Sequence, residues 1–327
     1  MAWLQGLPVH TDVESLRPAS ADASFRRYFR VDAPGQPSGT LIAMDAPPDR
    51  EDLRPFLYVA QLLRQAGLNA PAVLAADPQQ GFALLSDLGT QTYLSVINER
   101  NADALFRDAI GALVRWQSAT RADVLPPYDE ALLQRELALY PEWYVARHLG
   151  VSLTAPQRAT LDQQFRLLVQ SALAQPRVFV HRDYMPRNLM VSDPNPGILD
   201  FQDAVCGPIS YDIVSLLRDA FVSWEEERVL DWAIRYWEAA RAAALPVPSD
   251  FAEFYRAFEW MGVQRHLKVL GIFARLRYRD GKPQYLEDAP RFVGYVRAVA
   301  HRYVGLAPLA RLVDALEGIE TRVSYTF

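Results

Sequence analysis

The stretch FVHRDYMPRNLMVSDPNPGILDFQDAV, Phe179 to Val205, sets a His, several Asp and an Asn at fixed intervals between two apolar runs that read as buried strands. His181-Arg182-Asp183 followed by Asn188 fits H-x-D-x-x-x-x-N, the spacing at which one loop carries a catalytic Asp and, five residues on, an Asn amide oxygen for a metal. Moving a phosphoryl group asks for a carboxylate that orients and deprotonates the accepting hydroxyl, and for oxygen ligands that hold Mg²⁺ on the phosphates. Asp200, closing the apolar run GILDF, is a carboxylate at the end of a buried strand, the donor a hard cation prefers. The spacing therefore assigns Asp183 as base and Asn188 and Asp200 as metal ligands. Singly, each is an ordinary turn former; the ordered set between strands carries the chemistry. His181 is expected to hold loop backbone, and Arg187 to reach the transferred phosphoryl group.

Ahead of this stretch lies a small β-rich lobe. In SFRRYFRV, Phe25, Arg27, Phe29 and Val31 alternate with Arg26, Tyr28 and Arg30, the period of a strand. TLIAM (40–44) makes a second strand across a Pro- and Gly-rich turn, and AVLAA and FALLS two more. Asp49 is placed to cap a helix with apolar positions Phe56, Val59, Ala60, Leu62 and Leu63, ending near Gly67. After LLSDLG the pattern turns to amphipathic helices over 103–119, 129–149 and 157–174, and beyond Asp212 it stays helical almost to the end. The chemistry-bearing stretch interrupts these helices with short β-rich pieces. The expected fold class is α+β: a bilobal, protein-kinase-like fold with a nucleotide-binding small lobe over 1–88 and a mainly helical catalytic and substrate-binding lobe over 89–327.

Composition bounds the alternatives. At 327 residues, half of them hydrophobic and 22% charged, the chain is an ordinary globular one of about two lobes. A net charge of -5 and the lack of any lysine-rich run argue against a nucleic-acid partner. No apolar run approaches the ~20 residues that span a bilayer, so no membrane partner is expected. One cysteine, Cys206, and an N-terminus without a basic and then apolar region point to the cytoplasm. A monomer is expected.

HRDYMPRNLM, GILDFQDAVCGPISYDIVSLLRD and the small lobe before them resemble the aminoglycoside phosphotransferase family, kinase-fold enzymes acting on small molecules. PASADASFRRYFRV, LIAMDAPP, LLSDLGTQTYL and EWMGVQRHLKVLGIFARL are further similar to the branch of that family that phosphorylates amino sugars at the anomeric hydroxyl in bacterial cell-wall recycling. The resemblance runs nearly end to end. It implies ATP and Mg²⁺ as cofactors and a small amino sugar as acceptor.

Two features depart from the kinase pattern. Where protein kinases carry a lysine in V-A-I-K, LIAM puts Met44, which would fill the gap beside adenine. The only lysines are Lys268 and Lys282, both outside the small lobe, so Arg26 or Arg30 is expected to supply the missing cation, unless both merely coat a solvated strand face. PASADAS has no glycine, yet its small residues would let backbone N–H groups approach an anion, with Ser20 and Ser24 adding hydroxyl donors. In LLSDLG, backbone near Ser86 and Leu88 would pair with the adenine edge while Leu85 lies against its face. Asp203 either faces substrate or forms a turn, and Asp212 anchors a helix start. Trp260, Arg265, His266 and Lys268 share one helix, and would offer an aromatic surface and cationic donors to a sugar with an anionic substituent. Trp143 and Trp237 are expected in the core.

Other acceptors fit the same loop: an aminoglycoside, an amino alcohol or homoserine. An aminoglycoside pocket calls for carboxylates to hold a polycation, whereas the tail helices mix both signs. A nucleotide-binding pseudokinase is the alternative from another class, suggested by the absent lysine, although such a module has no need for the full Asp183, Asn188 and Asp200 set.

Overall fold

The structure, a computed structural model, describes residues 2–21 and 25–319, with Ser20 and Ala21 described by backbone alone. Compactness divides the chain into two units, Met1–Ala119 with His181–Ala204 and Thr120–Val180 with Val205–Phe327. This is a partition by compactness, with residues 89–119 and 181–204 in the unit that holds the sheet, whereas the division expected at residue 88 is one by role.

The first unit is built on a five-stranded antiparallel sheet. Its elements run α1 (Ala2–Gln5), β1 (Asp12–Ala21), β2 (Arg27–Asp32), β3 (Thr40–Asp45), α2 (Leu53–Gln65), β4 (Val73–Asp77), β5 (Phe82–Ser86), α3 (Tyr93–Val96) and α4 (Ala102–Ser118). The strand order is β1-β2-β3-β5-β4. Four of these strands are legible as alternating or short apolar runs; β1 is not. Its pairing with β2 shifts register between Asp12 and Arg17 and again between Pro18 and Ser20, so the period-2 pattern is broken, and Pro18 is tolerated because β1 is an edge. The first half of the expected phosphate loop, PASA, is consequently the end of a strand.

Register fixes what each face carries. Tyr28 pairs with Met44 and Met44 with Ala83, while Arg30 pairs with Ile42 and Ile42 with Leu85, so these six side chains share one face. The other face buries Val31, Leu41, Ala43 and Leu84 with Leu4 and Ala33, and Phe29 packs on that cluster. The alternation seen in SFRRYFRV is therefore the real one. α2 buries all five expected apolar positions, and Phe56 stacks on Phe201 with ring centroids 4.8 Å apart. Its cap is Asp52, which accepts from the Arg54 N–H at 3.0 Å; Asp49 is exposed in the preceding turn, because a helix begun there would bury Pro55 in its interior, where the ring meets the carbonyl one turn back.

The second unit is mostly helical: α5 (Glu130–Leu139), α6 (Ala155–Leu173), α7 (Tyr211–Leu217), α8 (Glu226–Ala242), α9 (Phe251–Tyr278), α10 (Ala289–Arg302) and α11 (Ala307–Leu316). Strand Arg177–Val180 pairs antiparallel with Val205–Pro208. α9 spans 28 residues and is packed on several sides, which explains why its apolar residues show no single stripe. α5 runs on as a π-helix over Tyr140–His148. Gly271 of α9 meets it at the junction: a Cβ there would lie 2.4 Å from the Leu139 carbonyl carbon. Trp116 and Trp232 are the fully buried tryptophans, whereas Trp143 and Trp237, expected in the core, keep part of their surface exposed.

Candidate active site

The loop from His181 is shaped from below by apolar packing. Tyr184, buried, donates its hydroxyl to the Ala109 carbonyl of α4 at 2.8 Å and turns its ring edge-on to His181. His181 is 1% exposed, and its Nδ1 accepts from the Asp183 N–H at 3.3 Å. Burial pushes its pKa down to about 4, against the opposing pull of Asp183, the Leu199 carbonyl and Asp203, so the ring is neutral and acts as a backbone acceptor. The expectation that His181 holds loop backbone is met.

Asp183, Asn188 and Asp200 come together around one amide. Asn188 Nδ2 donates to the Asp183 carbonyl at 2.9 Å and to Asp200 Oδ2 at 3.3 Å, while the Leu199 N–H donates to the Asn188 carbonyl at 2.9 Å. With both Nδ2 hydrogens used, Oδ1 is the Asn188 atom left for a cation. Gln202 Nε2 donates to Asp200 Oδ1 at 3.0 Å and fixes that carboxylate from the other side. Asp200 at φ +61° and Arg182 at φ +76° adopt left-handed backbone, each costing about 1–3 kcal/mol that the surrounding bonds must offset, and such strain gathers at functional loops. One amide oxygen and one carboxylate are the donor types a hard divalent cation takes, with phosphate oxygens completing its shell, so the residues fit Mg²⁺. Among the described residues no group of three or more His, Cys, Asp or Glu forms a metal cluster. Arg187 lies half-buried in the turn Pro186–Asn188. Asp203 is exposed, and its carbonyl accepts from Arg182 Nη1 at 3.5 Å.

The sheet separates the two candidate arginines. Arg30 donates Nε to Asp87 Oδ2 at 2.5 Å and Nη2 to Asp87 Oδ1 at 3.0 Å and to the Gly89 carbonyl at 2.8 Å. Asp87 also accepts from Thr40 Oγ1 at 2.7 Å and from the Gly89 N–H at 2.9 Å. Although burial opposes it, this set of donors, Arg30 foremost, holds the Asp87 carboxyl below the usual range. Arg26 pairs through Nη2 with Glu51 Oε2 at 2.9 Å, and Glu51 Oε1 accepts from the Phe25 N–H at 3.1 Å. Both guanidiniums are thus paired, that of Arg30 with the segment after β5 and that of Arg26 with Glu51 ahead of α2. Met44 is buried on the same sheet face as Arg30 and Leu85. Ser86 turns to β4: its Oγ accepts from the Ala72 N–H at 2.8 Å and its N–H donates to the Ala72 carbonyl at 2.9 Å. Leu88 packs on Gly197, where a Cβ would lie 2.9 Å from its Cδ1. Ser24 lies outside the described residues, and Ser20 is a β1 backbone position opposite Tyr28. Asp87, Thr40 and Glu51 were not singled out from sequence; the one signal was charged Arg30 on a strand face otherwise apolar near β5.

In the second unit, α9 buries the cations expected to form a sugar-facing surface. Lys268 pairs with Glu136 Oε1 at 3.0 Å and donates to Tyr211 Oη at 2.9 Å. His266 rests on Phe292 and Tyr295, its Nε2 3.3 Å from the Arg218 carbonyl; burial, with Arg265 and Arg218 nearby, holds its pKa well below 6.5. Trp260 sets its ring against the Tyr303 ring in a T-shaped contact. Arg265 is buried. These residues keep helical spacing in an all-round packed helix, so sequence periodicity did not distinguish surface from interior.

The phosphotransferase enzyme family matches residues 15–247. The N-acetylmuramate/N-acetylglucosamine kinase of Pseudomonas aeruginosa is 56% identical over 301 residues, 92% of this chain and 88% of that protein. That of Neisseria meningitidis serogroup B is 52% identical over 330 residues, covering 99% and 97%. Among solved structures, the ADP-bound aminoglycoside phosphotransferase APH(2'')-Ib matches with a TM-score of 0.58 at 13% identity, over 90% of this chain and 95% of that one, a likeness of fold alone. With its kinase-like α+β fold and its Asp183, Asn188 and Asp200 loop, the chain belongs to the phosphotransferase enzyme family of aminoglycoside-phosphotransferase type.

Proposed function

We propose that this chain is an ATP-dependent sugar kinase that phosphorylates the anomeric hydroxyl of N-acetylmuramate and N-acetylglucosamine, serving peptidoglycan recycling in the cytoplasm as a monomer. The observation that carries it is the identity of 52% and 56% to kinases of that name, spread over nearly the whole chain, and beside it stands this chain's own Asp183, Asn188 and Asp200 set.

In this reading Asp183 accepts the proton of the attacking hydroxyl. That hydroxyl is the most acidic on the sugar, because the ring oxygen stabilises its anion, so a carboxylate suffices as base. Asn188 Oδ1 and the Asp200 carboxylate would hold Mg²⁺, which when bound neutralises charge on the nucleotide phosphates. Arg26 takes the place of the absent lysine at the nucleotide phosphates, Arg187 faces the transferred group, and Met44 and Leu85 line adenine. ADP release measured with each sugar, and with Asp183→Asn, tests it: both sugars should be consumed, and the variant should lose about 10²–10⁴-fold in turnover while still binding nucleotide. Nucleotide binding without turnover of either sugar would favour the pseudokinase instead.

A further inference from the structure

Asp200 is held from both sides by amides of its own stretch of chain. Asn188 Nδ2 reaches its Oδ2 at 3.3 Å, and Gln202 Nε2 reaches its Oδ1 at 3.0 Å. All three residues lie within 181–204, in the first unit. Phe201, between Asp200 and Gln202, anchors the second bond: it is fully buried and stacked on Phe56, and its carbonyl accepts from the Ala204 N–H at 3.1 Å, closing the turn that carries Gln202. A free carboxylate swings broadly about its last torsion, whereas one donor on each oxygen fixes its plane.

Gln202 keeps this bond against its own stability. A carboxylate only accepts, so Nε2 must face Asp200. Oε1 is then turned into the protein, where it is shut from solvent and meets no hydrogen-bond donor among the described residues. A buried acceptor without a donor disfavours the fold, and an apolar side chain of equal length would avoid it. Such a group calls for a reason, and functional sites are where local rules give way. A cationic donor would not serve in its place. Arg or Lys here would cancel the charge that draws a hard cation, while an amide orients the carboxylate and leaves that charge intact. We infer that Gln202 is a positioning residue of the proposed Mg²⁺ site, acting through Asp200 by presetting its carboxylate before the metal arrives. This rests on the proposed metal site and not on which sugar is the acceptor.

The test measures binding rather than turnover, on full-length wild type, Gln202→Met and Gln202→His. Its probe is Mn²⁺, which shares the preference of Mg²⁺ for oxygen donors and whose free ion is read by electron paramagnetic resonance. With ADP bound, Gln202→Met should weaken Mn²⁺ binding about 10- to 100-fold, as loss of an outer-shell partner does. Gln202→His, which returns an N–H donor at similar reach, should recover part of that loss. Affinity for ADP without metal should change less than about 3-fold. Without metal or nucleotide, Gln202→Met should melt within about 4 °C of wild type, because the lost bond and the removed orphan acceptor offset one another. Unchanged Mn²⁺ affinity in Gln202→Met would overturn the inference. So would an equal loss of metal-free ADP affinity, or a larger fall in metal-free melting temperature, either of which makes Gln202 structural. A wild type that binds no Mn²⁺ beside ADP overturns the metal site and the inference with it. A chain that phosphorylates neither sugar, yet loses Mn²⁺ affinity in Gln202→Met as expected, overturns the proposed activity and supports this inference.

Discussion

Asn188 donates one side-chain amide to both the Asp183 carbonyl and the Asp200 carboxylate, at 2.9 and 3.3 Å, and so ties the loop of the proposed base to the carboxylate proposed to hold the metal through a single residue. Removing Asn188 therefore loosens two things, while removing the Asp200 charge weakens one thing severely. Asp200→Asn should raise the Mg²⁺ concentration for half-maximal activity by on the order of 10²-fold, at least what loss of an outer-shell partner costs. Asn188→Ala should raise it less and lower turnover at saturating Mg²⁺ as well, because the Asp183 carbonyl loses its brace. Magnesium titrations of both variants check this; an unchanged requirement in both would remove these residues from the metal site.

The two small-lobe arginines should separate in experiment. Arg30 and Asp87 form a two-point ion pair in which the Asp87 side chain is 3% exposed, so Asp87→Asn or Arg30→Ala should cost about 2 kcal/mol of stability, less than a fully buried pair because Arg30 retains some solvent. Arg26→Ala should instead raise KM for ATP and leave KM for the sugar in place. Thermal melts beside ATP kinetics distinguish them, and an Arg30→Ala that melts like wild type while losing ATP affinity would exchange the two roles.

His181 gives the protein an acid-sensitive term. Its pKa, ordinarily 6.5, is held at about 4 in the folded state, chiefly by burial. As pH falls below 6.5 the unfolded chain takes up the proton first, so stability drops until the folded state also protonates near pH 4. Between pH 7 and 4.5 this amounts to about 2–3 kcal/mol. Denaturant unfolding at the two pH values should show a loss smaller by that amount in His181→Asn than in wild type; equal losses would mean that His181 is not buried neutral.

Much of this molecule was legible in its sequence, for identifiable reasons. The alternation around Arg26 to Val31 and the apolar run before Asp200 reflect strands with one or both faces buried, and buried faces write themselves as periodicity. β1 was missed because bulges at its Arg17 and Pro18 steps break the period, and α2 began later than Asp49 because Pro55 is tolerated only in a first turn. The triad of Asp183, Asn188 and Asp200 was readable because a short loop fixes its spacing. What the sequence hid were pairings between distant residues: Arg30 with Asp87, Arg26 with Glu51, Lys268 with Glu136. Nothing local distinguishes a surface arginine from one that a far-off carboxylate holds, and in an all-round buried helix such as α9 even exposure leaves no trace in the pattern.

The position of the phosphate on the product decides between anomeric and other transfer. Phosphorus NMR of a completed reaction with ATP and N-acetylglucosamine, run beside a reducing-sugar assay, distinguishes the position of the new phosphate. Anomeric transfer gives a sugar 1-phosphate resonance, with reducing power lost in step with ADP formed. A phosphorylated sugar that still reduces would contradict anomeric transfer and assign Asp183 to a different hydroxyl.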